Sequence, residues 1–138
     1  MAENIKLEVV TPENEVVNDE AKIVMAPGSC GEFGILPGHT TFLTTLKVGT
    51  LRYVDASGTE RKVFINGGFA EALPDKVTIL AESSERRRDI DVDRAKKAME
   101  RAENRLGGSD SNDVDVMRAK AALARAMHRL NVVEAITH

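Results

Sequence analysis

Near Ser84 this 138-residue chain changes its hydrophobic period. Before that point apolar residues alternate with polar ones or come in short runs; after it they recur every three or four residues. A period of two marks a strand with one buried face, and a period near 3.6 marks an amphipathic helix. The chain therefore divides into a strand-rich front and a helical back.

In the front, "IKLEV" alternates through Ile5, Leu7 and Val9, and "AKIVM", "TTFLTTL", "TLRYV", "KVFI" and "KVTIL" follow as further strands. They are separated by "GSCGEFG", "ASGT", "INGG" and "LPDK", whose glycine, proline and aspartate mark turns. Turns at this frequency predict an antiparallel β-sandwich or flattened barrel. Hairpins are expected through Ser57 and Gly58 and through Pro74 and Asp75.

In the back, Val92, Ala95, Met99, Ala102 and Leu106 fall on one helical stripe, and Val116, Ala119, Leu123, Ala126, Leu130 and Val133 on another. "GGSDSND" breaks them and offers Ser111 or Asn112 as an N-cap. The expected fold is α+β in two parts, with the sandwich over residues 1–86 and an antiparallel two-helix hairpin over 87–138. The two helices repeat one another: residues 89–106 and 113–130 agree at 11 of 18 positions with an offset of 24. Alanine and methionine dominate both stripes, so the hairpin is expected to be marginally stable and able to detach.

Charge follows the same division. Residues 1–84 carry 7 basic and 12 acidic side chains, whereas residues 85–138 carry 12 and 10. Each helix bears an arginine stripe, Arg94, Arg101 and Arg105 on the first and Arg118, Arg125 and Arg129 on the second. Spacings of seven and four keep each set on one face. Such a face can simply be solvated; brought together in a hairpin, the two stripes call for an anion such as a polyphosphate. Nucleic acid is disfavoured by Asp91, Asp93, Glu100 and Glu103 on the same helices, by the net charge of −3 and by the 4% aromatic content.

Other chemistries find little support. His39, His128 and His138 lack cysteine or acidic partners at metal-ligand spacing, and Cys30 has no base nearby in sequence. A single cysteine forms no internal disulfide, as expected in a reducing cytosol. The N-terminus lacks the features of a signal peptide, and no apolar run is long enough to span a bilayer. "GSCGEFGILPGH" is glycine-rich without the Gly-Lys-Ser/Thr of a P-loop. It is either a tight turn or an exposed loop in which Glu32, Phe33 and Leu36 form a contact surface.

Five separated segments, "LEVVTP", "GEFGILPGH" at 31–39, "VFINGGFAEALPDKVTILAE" at 63–82, "DIDVDRA" at 89–95 and "RAMHRLNVVE" at 125–134, give a close resemblance to the epsilon subunit of bacterial F-type ATP synthase. The resemblance runs over essentially the whole chain in order. It implies a non-catalytic rotor subunit of the central stalk, peripheral on the cytoplasmic face of the inner membrane. Its sandwich would bind the gamma subunit and rest on the c-ring, with Glu32, Phe33 and Leu36 in the footing. Its hairpin would permit rotation when folded on the sandwich. Extended along gamma toward the alpha and beta subunits, it would obstruct ATP hydrolysis.

Some members of that family bind ATP on the folded hairpin through Ile/Leu-Asp-x-x-Arg-Ala, which "IDVDRA" matches at Ile90, Asp91, Arg94 and Ala95. The family pattern also extends to Glu85, Arg101, Arg125 and Arg129. The resemblance implies phosphates held by Arg94, Arg101, Arg125 and Arg129. Glu85, Ile90, Asp91 and Ala95 would surround adenine and ribose, although Asp91 can equally be only a helix cap. ATP is then a regulatory ligand, no cofactor is required, and magnesium is expected to be dispensable because arginines supply the positive charge. The alternative is a purely structural stalk subunit that senses no nucleotide.

Overall fold

Ile5, Leu7 and Val9 bury alternate side chains completely, and in a computed structural model of the chain, which describes residues 4–108 and 113–134, they form strand β1 (Ile5–Val10). It is followed by β2 (Glu15–Gly28), β3 (Gly31–Ile35), β4 (Phe42–Asp55), β5 (Glu60–Leu73), β6 (Lys76–Ala81) and the short β7 (Ser84–Arg86). β1 pairs antiparallel with β2 and parallel with β6, so the path β1-β6-β5-β4-β2 closes on itself. The expected sandwich is thus a flattened barrel with one parallel pair, β3 extending from β2 and β7 from β5. Closure leaves fewer open sheet edges.

The hairpins at Ser57–Gly58 and Pro74–Asp75 are present between β4 and β5 and between β5 and β6. At the first, the Asp55 carboxylate accepts hydrogen bonds from the N–H and hydroxyl of Ser57, the Thr59 N–H and Arg61 Nε, at 2.6–3.0 Å. The Ser57 bonds first, then Arg61 and Thr59, hold the Asp55 carboxyl well below the usual carboxylate range.

Three expectations need correction. "TTFLTTL" and "TLRYV" lie within one long strand, β4, paired continuously enough with β5 to leave no reversal between them. "INGG" is no turn but a bend inside β5, where Gly67 and Gly68 take φ of +70° and +125°. There β5 changes partner from β7, through Ile65, to β6, from Gly68 onward. A Cβ on Gly68 would lie 2.0 Å from the Leu80 carbonyl oxygen, so only glycine allows this approach. Finally, Glu32 to Ile35 belong to β3 and not to an exposed loop.

The barrel core runs through Leu7, Val24, Ile35, Leu51, Tyr53, Val63, Ile65, Val77 and Ile79. Its neighbour in β5, Phe64, points the other way yet is equally buried. Three consecutive buried residues, Val63 to Ile65, show that this part of the sheet is covered on both faces.

The outer cover is the hairpin, α1 (Val92–Leu106) and α2 (Asp113–Glu134). Asp91 caps α1 by accepting the Arg94 N–H at 3.0 Å. Ala95 and Ala102 of α1 and Ala119 and Ala126 of α2 are buried. Each pair is seven residues apart, and the pairs occupy equivalent places in the repeated unit. Alanine there lets two helices approach closely but buries little area per residue. α1 packs on α2, and α2 lies across β4 and β5. The expected caps Ser111 and Asn112, and His138, lie outside the described residues.

Candidate functional site

The linker between the two parts is tied down by backbone pairing before it turns into the hairpin. Ser84, Glu85 and Arg86 pair with Ile65, Phe64 and Val63. The Ser84 hydroxyl donates to the Phe64 carbonyl at 2.8 Å, and Arg86 Nε donates to the Val16 carbonyl at 2.8 Å. Directly paired residues share a face of the sheet, so Glu85 stands beside the outward Phe64.

Arg129 of α2 meets both. Its Nε donates to the Glu85 carboxylate, and its guanidinium carbon sits 4.5 Å from the Phe64 ring centroid. Both the carboxylate and the ring face favour a cation, and partial burial strengthens each. After Arg86 a 3₁₀ turn, Arg87–Asp89, brings Ile90 down against Phe64 and Val132, with Val48 and Val133 alongside. This small apolar seam, separate from the barrel core, is where the hairpin is seated.

The structure thus joins Glu85, Ile90 and Arg129 around Phe64, with Asp91 next to them as the helix cap. Ala95 is buried. Arg94 and Arg101 are exposed on α1, about 10 Å apart along the axis. Arg125 is half-buried on α2. In an antiparallel hairpin the start of α1 lies beside the last turns of α2, which puts Arg94 at the same end as Arg125 and Arg129. Among the described residues, no hydrogen bond or ion pair engages the guanidinium groups of Arg94, Arg101 or Arg125. One arginine of the expected four is therefore neutralised within the protein, and three are open to an anion.

The second candidate surface is changed more. Glu32 pairs with Arg52 at 2.7 Å, and Phe33 packs edge-on against Phe42 at 5.4 Å between centroids, partly in the core. Leu36, just past β3, is the most exposed of the three at 57%. A wider apolar surface lies elsewhere, where Leu43, Phe69 and Leu80 are exposed on neighbouring β4, β5 and β6.

Phe64 and Val132 were not singled out by periodicity. The run "VFI" carried the signal for Phe64, since three large apolar residues in succession need cover on two faces. Val132 falls off the α2 stripe that faces α1 because α2 has a second contact, with the sheet.

The family model for the ATP synthase delta/epsilon chain beta-sandwich domain matches residues 4–87, and that for the long alpha-helix domain of the same chain matches residues 88–134. The ATP synthase epsilon chain of Desulforapulum autotrophicum is 68% identical over 106 residues, covering 77% of this chain and 78% of that one. That of Desulfatibacillum aliphaticivorans is 62% identical over 111 residues, covering 80% and 79%. Among solved structures, a chain of the mitochondrial ATP synthase of Euglena gracilis aligns with a TM-score of 0.79 and 22% identity over 98% of this chain and 82% of that one. A chain of the Tetrahymena thermophila enzyme, in a structure of its central stalk and c-ring, aligns with a TM-score of 0.63 and 13% identity, covering 96% and 98%. At these identities the structural likeness speaks for the fold alone.

Proposed function

The chain belongs to the ATP synthase delta/epsilon chain family, and from that premise we propose that it is a non-catalytic rotor subunit of the central stalk. In this reading the barrel joins the gamma subunit to the c-ring, and the hairpin is a nucleotide-sensitive brake on ATP hydrolysis. The complex sits on the cytoplasmic face of the bacterial inner membrane and holds this subunit there. The observation that carries the proposal is the seating of the hairpin: on a closed barrel it rests on a small apolar seam of Phe64, Ile90 and Val132, flanked by Val48 and Val133, and on the Glu85–Arg129 pair.

The energetics suit a switch. Covering three apolar side chains contributes about 1.5–3 kcal/mol each, less the cost of ordering the segment, which leaves a docking free energy of a few kcal/mol. A ligand that binds only the docked form adds about 2.7 kcal/mol at 100 times its dissociation constant. ATP held by Arg94, Arg101 and Arg125 is such a ligand, because those residues come from both helices and can serve one polyphosphate only while the helices lie side by side. Abundant ATP then keeps the helices down, and scarcity frees them to reach the alpha and beta subunits.

Calorimetric titration of the isolated protein with ATP, with and without magnesium, is the test. One site with the same affinity in both buffers is expected, at least tenfold weaker in an Arg101→Ala, Arg125→Ala variant. Unchanged binding by that variant would defeat the pocket. Removing residues 88–138 in the assembled enzyme should relieve inhibition of hydrolysis while assembly survives; unaltered hydrolysis would leave only the structural stalk role.

A further inference from the structure

On the other side of α2 from the linker, a groove of about 580 Å³ opens between the helix and the outer face of the barrel. Its floor is β4 and β5, with Lys47, Thr50, Arg52 and Lys62; its wall is α2, with His128 and Asn131 one turn apart; Glu32 stands at the β3 side. Arg52 and Lys62 are direct partners across the β4–β5 ladder. Like charges in such positions repel and are usually relieved by a counter-ion. Glu32 relieves only Arg52, and among the described residues neither Lys47 nor Lys62 has an ion pair. The Thr50 hydroxyl is buried, with no hydrogen-bond partner among the described residues.

We propose that this groove binds a small polyvalent oxyanion of the phosphate class, which bridges the barrel to α2 and holds the hairpin down. Lys47 and Lys62 supply two positive charges, and the Asn131 amide and an imidazole N–H of His128 supply neutral donors. An acceptor-only ligand with several oxygens satisfies that set. Among the described lining residues His128 is the one aromatic ring, so there is no apolar aromatic face for a nucleobase, and the groove favours phosphate and pyrophosphate over a nucleoside. Burial, then the Lys47 charge, lowers the His128 pKa, so near pH 7 the ring is a neutral donor. An anion lodged beside it raises that pKa again.

The site shares no residue with the Glu85–Arg129 region, so the two readings fail separately. The test follows the His128 ring resonances by NMR in the full-length protein, titrated with sodium pyrophosphate and then with inorganic phosphate against chloride at equal ionic strength. A saturable shift with an upward move of the His128 pKa is expected. It should weaken at least tenfold in Lys62→Glu and in the milder Lys62→Gln, and persist in Arg101→Ala, Arg125→Ala. A shift equal to that in chloride, or one retained in both Lys62 variants, overturns the site. Loss of the shift in the double arginine variant with retention in the Lys62 variants assigns the anion to the hairpin instead.

Discussion

The barrel and the hairpin are built from the same chain by opposite economies. The barrel closes its hydrogen-bond ladder and fills its interior with Leu7, Val24, Ile35, Tyr53 and Ile79, all fully buried. The hairpin buries alanines between its helices and rests on the barrel through a small apolar seam. Burial scales with side-chain size, so the first part is expected to unfold as a cooperative unit and the second to open before it. The proposed rotor role calls for the former and the proposed switch for the latter.

Substitutions separate the two. The largest effect is expected from Leu7→Ala, which should cost about 2–5 kcal/mol of global stability, measured by denaturant unfolding. Loss confined to the helices would show that the barrel is not the cooperative unit. Phe64→Ala should cost about 2–4 kcal/mol, mostly in docking. Hydrogen exchange should then rise in α1 and α2 while β1 and β6 stay protected; equal loss in both parts would merge them. Glu85→Gln removes the partner of a part-exposed arginine and should cost about 1 kcal/mol, seen as roughly fivefold faster exchange in α2 alone.

Acid distinguishes them too, with the smallest effects. A lowered His128 pKa means that the docked state prefers the neutral ring. Its contribution is fully present above the ordinary histidine value near 6.5 and declines as pH falls below it. The depressed Asp55 carboxyl contributes to the barrel above the ordinary carboxylate range, and that contribution is lost only as pH falls beneath it. Helix exchange should therefore quicken between about pH 7 and 5, less so in His128→Asn, while barrel exchange corrected for intrinsic rates stays flat.

Much of this division was legible in the sequence, because period is read residue by residue. The two hairpin turns followed from their turn residues, and the alanine-rich stripes from spacing. The bend at Gly67–Gly68 looked like a turn, since glycine marks a reversal and a partner change equally well until the neighbouring strand is known. β3 looked like a loop because five residues rich in glycine carry too little period to show a strand. At the candidate site, Glu85, Ile90 and Arg129 were drawn together by the family resemblance, while Phe64, which gathers them, was hidden inside a strand. The groove under His128 joins residues from β4, β5 and α2, and no local pattern connects them.

On the proposed function, a weakly seated, nucleotide-stabilised hairpin rides on a rigid barrel. Hydrogen exchange of the intact chain with and without ATP tests it most directly. Exchange in α1 and α2 should exceed that of the barrel strands and slow by about 100-fold at an ATP concentration 100 times the dissociation constant, with the barrel unchanged. Helices as protected as the barrel, or indifferent to saturating ATP, would contradict it.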